Sequence, residues 1–291
     1  MRRTIIQRKI PFITFCIKPN KKAWINLAGC NFDCKGCFAL AKDDVGRPFT
    51  VEAFLNLFVK SCMQIYGEMV YDVVITGGEP TLNPTYLLNL IKGLRRLSIK
   101  NIALSTNGYM LNEKLVKLLK TLQVNLVKLD IKMYDEKLHR WYTGKSNKNV
   151  LEAAKLLHKY NINFYVRTIL MPGIVDHDEV ERIACFLSSI DRRIPYRIYE
   201  FAPSHAKIKV TRKPTLEEMA EAYHAAKKYL DHVEAIPASQ IYNSEYAYIE
   251  VRDGKLMERF KWIDKASKLA IKTWNMKYLT FDEVLGSSTS S

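Results

Sequence analysis

The sequence predicts an α/β fold, namely a partial (βα)6 TIM-like barrel with short N-terminal strands and a C-terminal hairpin-plus-helix extension. Short apolar runs alternate six times with amphipathic helical patterns, and this alternation is typical of a parallel sheet with right-handed crossovers. Distinctive polar residues directly follow the apolar runs, which is where barrel folds place their chemistry. Six units are fewer than the eight that close a full barrel, so we expect an open one.

The predicted elements follow one another in a regular order. Residues 1–23 contain two apolar stretches broken by prolines and are expected to form short strands ahead of the barrel. The six barrel strands are predicted at 23–27, 72–76, 101–105, 126–130, 163–167 and 196–200. Helices are predicted at 51–66, 84–98, 112–122, 148–160, 176–189 and 215–231. Thr50, Asn83 and Asn147 are suited to cap helices, and Pro84 suits a first helical turn.

The alternation of strand and helix patterns ends near residue 237. Residues 245–251 and 255–260 flank Asp253-Gly254, which predicts a hairpin, and residues 261–285 have a mostly helical pattern. We therefore divide the chain into an N-terminal strand extension (1–23), the barrel (24–236), a hairpin and helical extension (237–286) and a disordered tail (287–291).

Composition narrows the class of protein. Apolar residues make up 48% of the 291 residues, which is enough for a sizeable core. No apolar run approaches the roughly 20 residues of a spanning helix, and Met1-Arg2-Arg3-Thr4 has no long apolar stretch behind it to form a signal peptide. We therefore expect a cytoplasmic protein with no membrane partner.

The net charge of +15 is compatible with a nucleic acid, an acidic protein or an anionic substrate, because a basic surface attracts all three. Lysines and arginines occur along the whole chain, and their densest groups are pairs. The simplest interpretation of the charge is a set of solvated helix faces.

Three of the six cysteines lie on one short loop, Cys30-Asn31-Phe32-Asp33-Cys34-Lys35-Gly36-Cys37, directly after the first barrel strand. Three thiolates can hold three irons of a four-iron cluster and leave the fourth iron open. A zinc site would need a fourth Cys or His nearby. Cys16, Cys62 and Cys185 are scattered and are expected to be small buried side chains.

Polar residues also mark the ends of the later strands. The second strand ends in Thr76-Gly77-Gly78-Glu79-Pro80, where two glycines let a ligand approach the backbone and Glu79 can accept hydrogen bonds from an ammonium group. The other strand-end candidates are Ser105, Asn107, Asp130, Lys132, Arg167 and His205. Alternation along a strand places Asp130 and Lys132 on the same side.

The three-Cys loop and the Gly-Gly-Glu-Pro turn together resemble the radical S-adenosylmethionine (SAM) enzymes over residues 24–205. The resemblance implies a [4Fe-4S] cluster held by Cys30, Cys34 and Cys37, and a SAM molecule whose amino group is held by Gly77, Gly78, Glu79 and Pro80. It further implies that an electron from the cluster cleaves SAM to a 5′-deoxyadenosyl radical, which abstracts hydrogen, and that a ferredoxin-like or flavodoxin-like protein supplies the electron.

Within that family, the strand-end residues resemble the activating enzymes of glycyl radical enzymes, such as pyruvate formate-lyase activase. The resemblance assigns SAM-binding roles to Ser105, Asn107, Asp130, Lys132, Arg167 and His205, implies a monovalent cation site near the SAM carboxylate, and implies a glycyl radical enzyme as partner. The family usually has an aromatic residue before the third Cys; here Gly36 takes that position and Phe38 follows the cysteine, as the adenine-contacting candidate.

Two alternatives remain open from the sequence. One is a radical SAM enzyme that modifies a nucleotide, an RNA or a small metabolite, which the net charge and Trp141, Tyr142 and Lys145 favour. The other is a non-catalytic scaffold in which the cysteines hold zinc or a passive cluster. Asp130 and Lys132 are also interpretable as a structural ion pair.

Overall fold

A computed structural model describes residues 6–37, 39–201, 203, 212–236, 245–250 and 275–286 of the chain. The chain divides into two compact units. The first comprises Met1–Cys30, Ala39–Leu104 and Ile241–Ser291, and the second comprises Asn31–Phe38 and Ser105–Gln240. Cys30 therefore belongs to the first unit, whereas Cys34 and Cys37 belong to the second.

The first unit is built on a mixed sheet. Its strands are β1 (Arg8–Ile10), β2 (Phe12–Lys18), β3 (Lys22–Leu27), β4 (Arg47–Phe49), β5 (Asp72–Gly77), β6 (Asn101–Thr106, of which the last two residues belong to the second unit), β11 (Glu245–Glu250) and β12 (Asn275–Thr280). β3, β5 and β6 are parallel neighbours, β2 pairs antiparallel with β3, and β11 lies between β2 and β12. β1 and β4 form a separate antiparallel pair.

Three helices of the first unit are α1 (Val51–Tyr66), α2 (Pro84–Arg96) and α8 (Phe281–Leu285). Thr50 and Asn83 cap α1 and α2 by accepting hydrogen bonds from backbone amides, as predicted. The core of the unit contains stacked rings, with Phe58 between Phe15 (6.0 Å) and Phe54 (6.1 Å). All three rings are fully buried, so this apolar layer anchors α1 to the sheet.

The described part of the second unit has parallel strands in the order β7 (Leu126–Asp130), β8 (Phe164–Leu170), β9 (Tyr196–Glu200) and β10 (Val233–Ile236). Its helices are α3 (Glu113–Thr121), α4 (Glu136–Thr143), α5 (Lys148–Lys159), α6 (His177–Ser188) and α7 (Leu216–Lys227). Asn147 precedes α5 without making a side-chain cap, so that predicted cap is wrong.

The six predicted βα units are all present, and the α/β fold class is confirmed. The sequence did not predict β4, β10 or α4. In the C-terminal segment, residues 251–274, where the second hairpin strand is predicted, lie outside the described residues. The helical prediction for 261–285 is wrong at 275–280, which form a strand parallel to β11.

Candidate active site

The Gly-Gly-Glu-Pro turn packs backbone to backbone against the segment that leads to Cys30. Gly77 pairs with Leu27 at the ends of β5 and β3, and the amides of Gly78 and Glu79 donate to the carbonyls of Leu27 and Gly29, each at 2.8 Å. A Cβ on Gly78 would lie 2.0 Å from the Gly29 carbonyl oxygen. Gly77 has a φ of +125° and a similar clash with Leu27. Only glycine allows this close approach.

Glu79 is fully buried within the turn. Its carboxylate accepts hydrogen bonds from the amide of Thr81 at 2.9 Å and from the Thr81 hydroxyl at 2.6 Å. Pro80 begins the short 3-10 turn Pro80–Leu82 that Glu79 caps. The observed contacts of Glu79 thus fix the shape of the turn.

Arg8 contacts two segments of the candidate site and was not identified from the sequence. Its buried guanidinium donates to the carbonyl of Ala28 at 2.6 and 3.0 Å and to that of Glu79 at 2.9 Å. Burial lowers the pKa of Arg8, while the charge of Glu79 acts to raise it. Arg8 therefore joins β1, the turn before Cys30 and the glutamate turn. No signal in the sequence distinguishes it from the other arginines.

Cys30 opens onto a cavity of ≈ 470 Å³ in the first unit. Arg8, Gly29, Lys42 and Asp44 also line it. Arg8 and Lys42 are cationic and Asp44 is anionic, so the side chains that line the cavity carry a small net positive charge.

The second part of the cysteine loop is held by α4 in the second unit. The amides of Asp33 and Lys35 donate to the carbonyls of Thr143 (2.8 Å) and Tyr142 (3.1 Å). These carbonyls belong to the last turn of α4 and lack partners within the helix. The amides of the loop and the carbonyls of the helix end therefore have each other as hydrogen-bond partners.

Asn107 ties the strand end after β6 to this loop. Its side-chain amide donates to the Asn31 side-chain oxygen at 2.8 Å, and its own oxygen accepts from the Tyr109 amide at 3.0 Å. Phe32 packs edge-on against the rings of Tyr109 and His139, each with centroids 5.5 Å apart. Asn107 is thus placed to shape the loop.

Asp130 is the centre of a charged network at the ends of β7 and β8. It lies opposite Arg167 in the strand register and accepts from Arg167 Nε at 2.7 Å, while Lys132 Nζ lies 3.2 Å away. Arg167 also donates to the Ser105 hydroxyl at 2.6 Å. The prediction that Asp130 and Lys132 share one side of the strand is confirmed, and so is their ion pair.

Two cations surround the single carboxylate in this network. Burial acts to raise the pKa of Asp130, but the charges of Arg167 and Lys132 outweigh it and hold that pKa below its usual range. Burial acts to lower the pKa of Lys132, but Asp130 and then Cys34 outweigh it and hold that pKa above its usual range. The network carries a net positive charge and suits an anionic ligand group.

We expect Asp130→Asn to lower the free energy of unfolding by roughly 3 kcal/mol, because it leaves two cations without their counter-charge. The pKa of Asp130 is depressed in the folded protein, so its contribution is present above the unfolded value of about 3.9. As pH falls below that value, the difference between wild type and variant should shrink. Urea unfolding across pH measures this.

The matched control is Glu152→Gln, since Glu152 forms an exposed pair with Lys155 at 3.8 Å. Exposed pairs contribute about 0–1 kcal/mol, so the control should unfold like wild type. A wild-type minus Asp130→Asn difference that stays constant from pH 7 to pH 3 would contradict the assignment.

The cysteines differ in their surroundings. Cys16 and Cys62 are buried, as predicted, whereas Cys185 is exposed, so the prediction is wrong for Cys185. Cys34 is buried, Cys30 and Cys37 are partly exposed, and all six are free of disulfides. Three thiols on one loop fit the soft ligand set of an iron-sulfur cluster.

The structure does not support a site role for some of the predicted residues. Phe38 and His205 lie outside the described residues. Tyr142 is 2% exposed and cannot stack on a nucleotide base, whereas Trp141 is half exposed.

Across the described ranges, no three His, Cys, Asp or Glu side chains gather as they would around a single metal ion. No helix in those ranges is long and apolar enough to cross a membrane.

The fold and the site define a class: an α/β enzyme with a three-thiol loop and a glycine-rich turn at the ends of neighbouring parallel strands. Residues 27–187 match the radical SAM superfamily, and the chain belongs to that superfamily. It is an enzyme whose cofactors are a [4Fe-4S] cluster and SAM. The scaffold alternative is therefore wrong.

Two relatives of the chain have names that refer to activating enzymes. The chain is 37% identical over 210 residues to the Methanocaldococcus jannaschii protein MJ1632, whose name proposes a glycyl-radical enzyme activating enzyme; the match covers 70% of this chain and 76% of that protein. It is 30% identical over 188 residues to the pyruvate formate-lyase-activating enzyme of Staphylococcus epidermidis, covering 61% and 72%.

Solved structures show the same fold. Streptococcus suis SuiB bound to its precursor peptide SuiA matches 90% of this chain and 59% of that chain, with a TM-score of 0.59 and 13% identity. The enzyme anSMEcpe with bound AdoMet matches 69% and 57%, with a TM-score of 0.53 and 20% identity.

Proposed function

We propose that this enzyme activates a glycyl radical enzyme by abstracting a hydrogen atom from a backbone glycine of that partner. The observation that carries the proposal is the pairing of a three-thiol loop with a positively charged Asp130, Lys132 and Arg167 network, in a chain whose relatives carry activase names. When bound and reduced, the cluster supplies the electron that cleaves SAM.

The chain's own residues would bind and orient the cofactors. Cys30, Cys34 and Cys37 would ligate three irons. The backbone of Gly77, Gly78 and Glu79, with Pro80, would present hydrogen-bonding groups to the SAM amino group. This role is supported by the fixed turn geometry, in which Arg8 and Thr81 hold Glu79.

Other strand-end residues would bind the remaining parts of SAM. Lys132 and Arg167 carry the positive charge that attracts the SAM carboxylate, and Ser105 orients Arg167. Asn107 would act through the loop that it holds. Roles for Phe38 and His205 remain predictions, as do the cytoplasmic location and a ferredoxin-like or flavodoxin-like electron donor.

We do not propose that Asp130 binds the monovalent cation that the family resemblance implies. Both neighbours of the Asp130 carboxylate are already cationic, at 2.7 and 3.2 Å. A bound K⁺ or Na⁺ would meet two like charges there.

The activase proposal is tested with the reduced holoenzyme, SAM and a glycyl radical enzyme encoded in the same genome. We expect a glycine-centred radical on the partner by electron paramagnetic resonance (EPR), with 5′-deoxyadenosine formed in equal amount. Partner protein in which the acceptor glycine is replaced by Ala should give no radical.

SAM cleavage without a radical on the partner protein would favour a different substrate. If 5′-deoxyadenosine forms but no partner acquires a radical, while a small molecule or an RNA is turned over, the activase assignment is wrong. The charge of +15 keeps RNA as the substrate to test first in that case.

A further inference from the structure

An exposed tryptophan lies beside the cysteine loop in the second unit. Trp141 on α4 is 50% exposed, although tryptophan is highly buried on average. The ammonium group of Lys35 lies over its ring, 5.3 Å from the centroid. Because Lys35 stands between Cys34 and Cys37 in the loop, an aromatic and a cationic side chain together cover the surface next to two of the proposed cluster ligands.

Backbone contacts fix the position of these two side chains. The Lys35 amide donates to the Tyr142 carbonyl at 3.1 Å, which ties the loop to the turn of α4 that carries the tryptophan. Asp135 caps the start of α4 by accepting from the Leu138 amide at 2.8 Å, and Gly144 ends the helix in the left-handed conformation. A partner that binds here would therefore have little of this surface to order.

The charge beside the exposed ring is positive. Lys137 is exposed and lies one helical turn before Trp141, so a second lysine flanks the ring. The charged residues within the cysteine loop and α4 are Asp33, Lys35, Glu136, Lys137 and Arg140. Cations outnumber anions in this set, and the whole chain has a net charge of +15. The surface therefore attracts an acidic partner.

We infer that the Lys35–Trp141 surface, made of Lys35, Lys137 and Trp141, docks an acidic protein that carries a one-electron redox group. The inference rests on the proposed function, in which a cluster on the cysteine loop is reduced before SAM is cleaved. The donor's redox group loses one electron and the cluster gains it, with no bond formed or broken. Electron transfer is fast only over short distances, and this surface lies beside Cys34 and Cys37.

The first test measures binding without turnover. Reconstituted protein is titrated with an oxidised, acidic flavodoxin from the same genome in a calorimeter at two salt concentrations. We expect Trp141→Ala to weaken binding about 10-fold or more, as for an aromatic anchor at the centre of an interface. Lys35→Ala should weaken binding and make it less sensitive to salt, because it removes one charge from the surface.

The matched controls are Leu216→Ala and Lys155→Ala. Leu216 is a 76% exposed apolar side chain at the start of α7, and Lys155 is an exposed lysine on α5. Both variants should bind the flavodoxin like wild type. Equal affinities for wild type and Trp141→Ala would overturn the inference, and so would a wild type that binds no acidic flavodoxin or ferredoxin of that genome.

The second test follows reduction of the cluster by stopped-flow absorbance. Reduced flavodoxin, at concentrations below its Kd, should reduce Trp141→Ala about 10-fold or more slowly than wild type. Dithionite, a small reductant that needs no docking surface, should reduce both proteins at the same rate. Equal slowing with both reductants would mean that the variant disturbs the cluster and would overturn the inference.

Other occupants of the surface give different results. If Trp141→Ala lowers radical formation on the glycyl radical enzyme with dithionite as reductant, the surface belongs to that enzyme. If RNA binds wild type and not Trp141→Ala, the surface belongs to a nucleic acid. Either result would overturn the inference.

The two reductants separate failure of the inference from failure of the proposed function. If dithionite drives SAM cleavage but the flavodoxin binds and reduces Trp141→Ala like wild type, the inference alone is wrong. If no SAM-responsive cluster forms while the oxidised flavodoxin still binds through Trp141, the docking surface stands and the cluster assignment is wrong.

Discussion

Replacing Cys30, Cys34 or Cys37 with Ala is expected to abolish stable cluster assembly and to lower SAM cleavage more than about 100-fold. Even loss of an outer-shell partner of a metal ligand costs 10–100-fold, so loss of a ligand should cost more. The measurement is iron and sulfide content after anaerobic reconstitution, together with 5′-deoxyadenosine formation.

The matched control is Cys185→Ala, because Cys185 is an exposed thiol on α6. It should keep the full iron content and activity. A loop variant that binds as much iron as this control, with an unchanged spectrum, would show that the replaced cysteine is not a ligand.

Gly78→Ala is expected to destabilise the protein by about 3 kcal/mol or more, at the upper end of overpacking effects. The added methyl group would lie 2.0 Å from the Gly29 carbonyl oxygen and 2.6 Å from that of Ala41. Both neighbours are backbone atoms held in hydrogen bonds, so the turn must separate from the segment that carries Cys30. SAM binding should weaken with it.

Gly93→Ala provides a control with a clash of a different kind. A Cβ there would lie 2.3 Å from Leu55 Cδ1, the end of a side chain that can rotate. Alanine also gains about 1 kcal/mol of helix propensity over glycine, so the net change should be small. Equal stability losses for the two variants in urea would contradict the proposed rigidity of the glycine turn.

The barrel strands were predictable because parallel strands are buried on both faces and read as continuous apolar runs. Asp72–Gly77 and Asn101–Thr106 are examples. Val233–Ile236 lacks such a run, and its strand depends on pairing with β9. Asn275–Thr280 likewise forms a strand through its distant partner β11, which a local helical pattern cannot reveal.

The candidate site could be proposed from the sequence where residue type and spacing indicate a chemistry, as in the three cysteines and the glycine turn. Arg8, and the contact between Tyr142 and Gly36, could not be found this way. Arg8 acts through carbonyls 20 and 71 residues away in sequence, and the Tyr142 hydroxyl contacts Gly36 across 106 residues. Their roles come from tertiary packing.

The central claim is that the three-Cys loop holds a four-iron cluster whose open iron binds SAM. EPR spectroscopy of the reduced, anaerobically reconstituted protein, with and without SAM, tests it most directly. We predict a reduced-cluster signal that changes when SAM is added, followed by formation of 5′-deoxyadenosine. A colourless protein that contains zinc, or a cluster signal that SAM leaves unchanged, would contradict the claim.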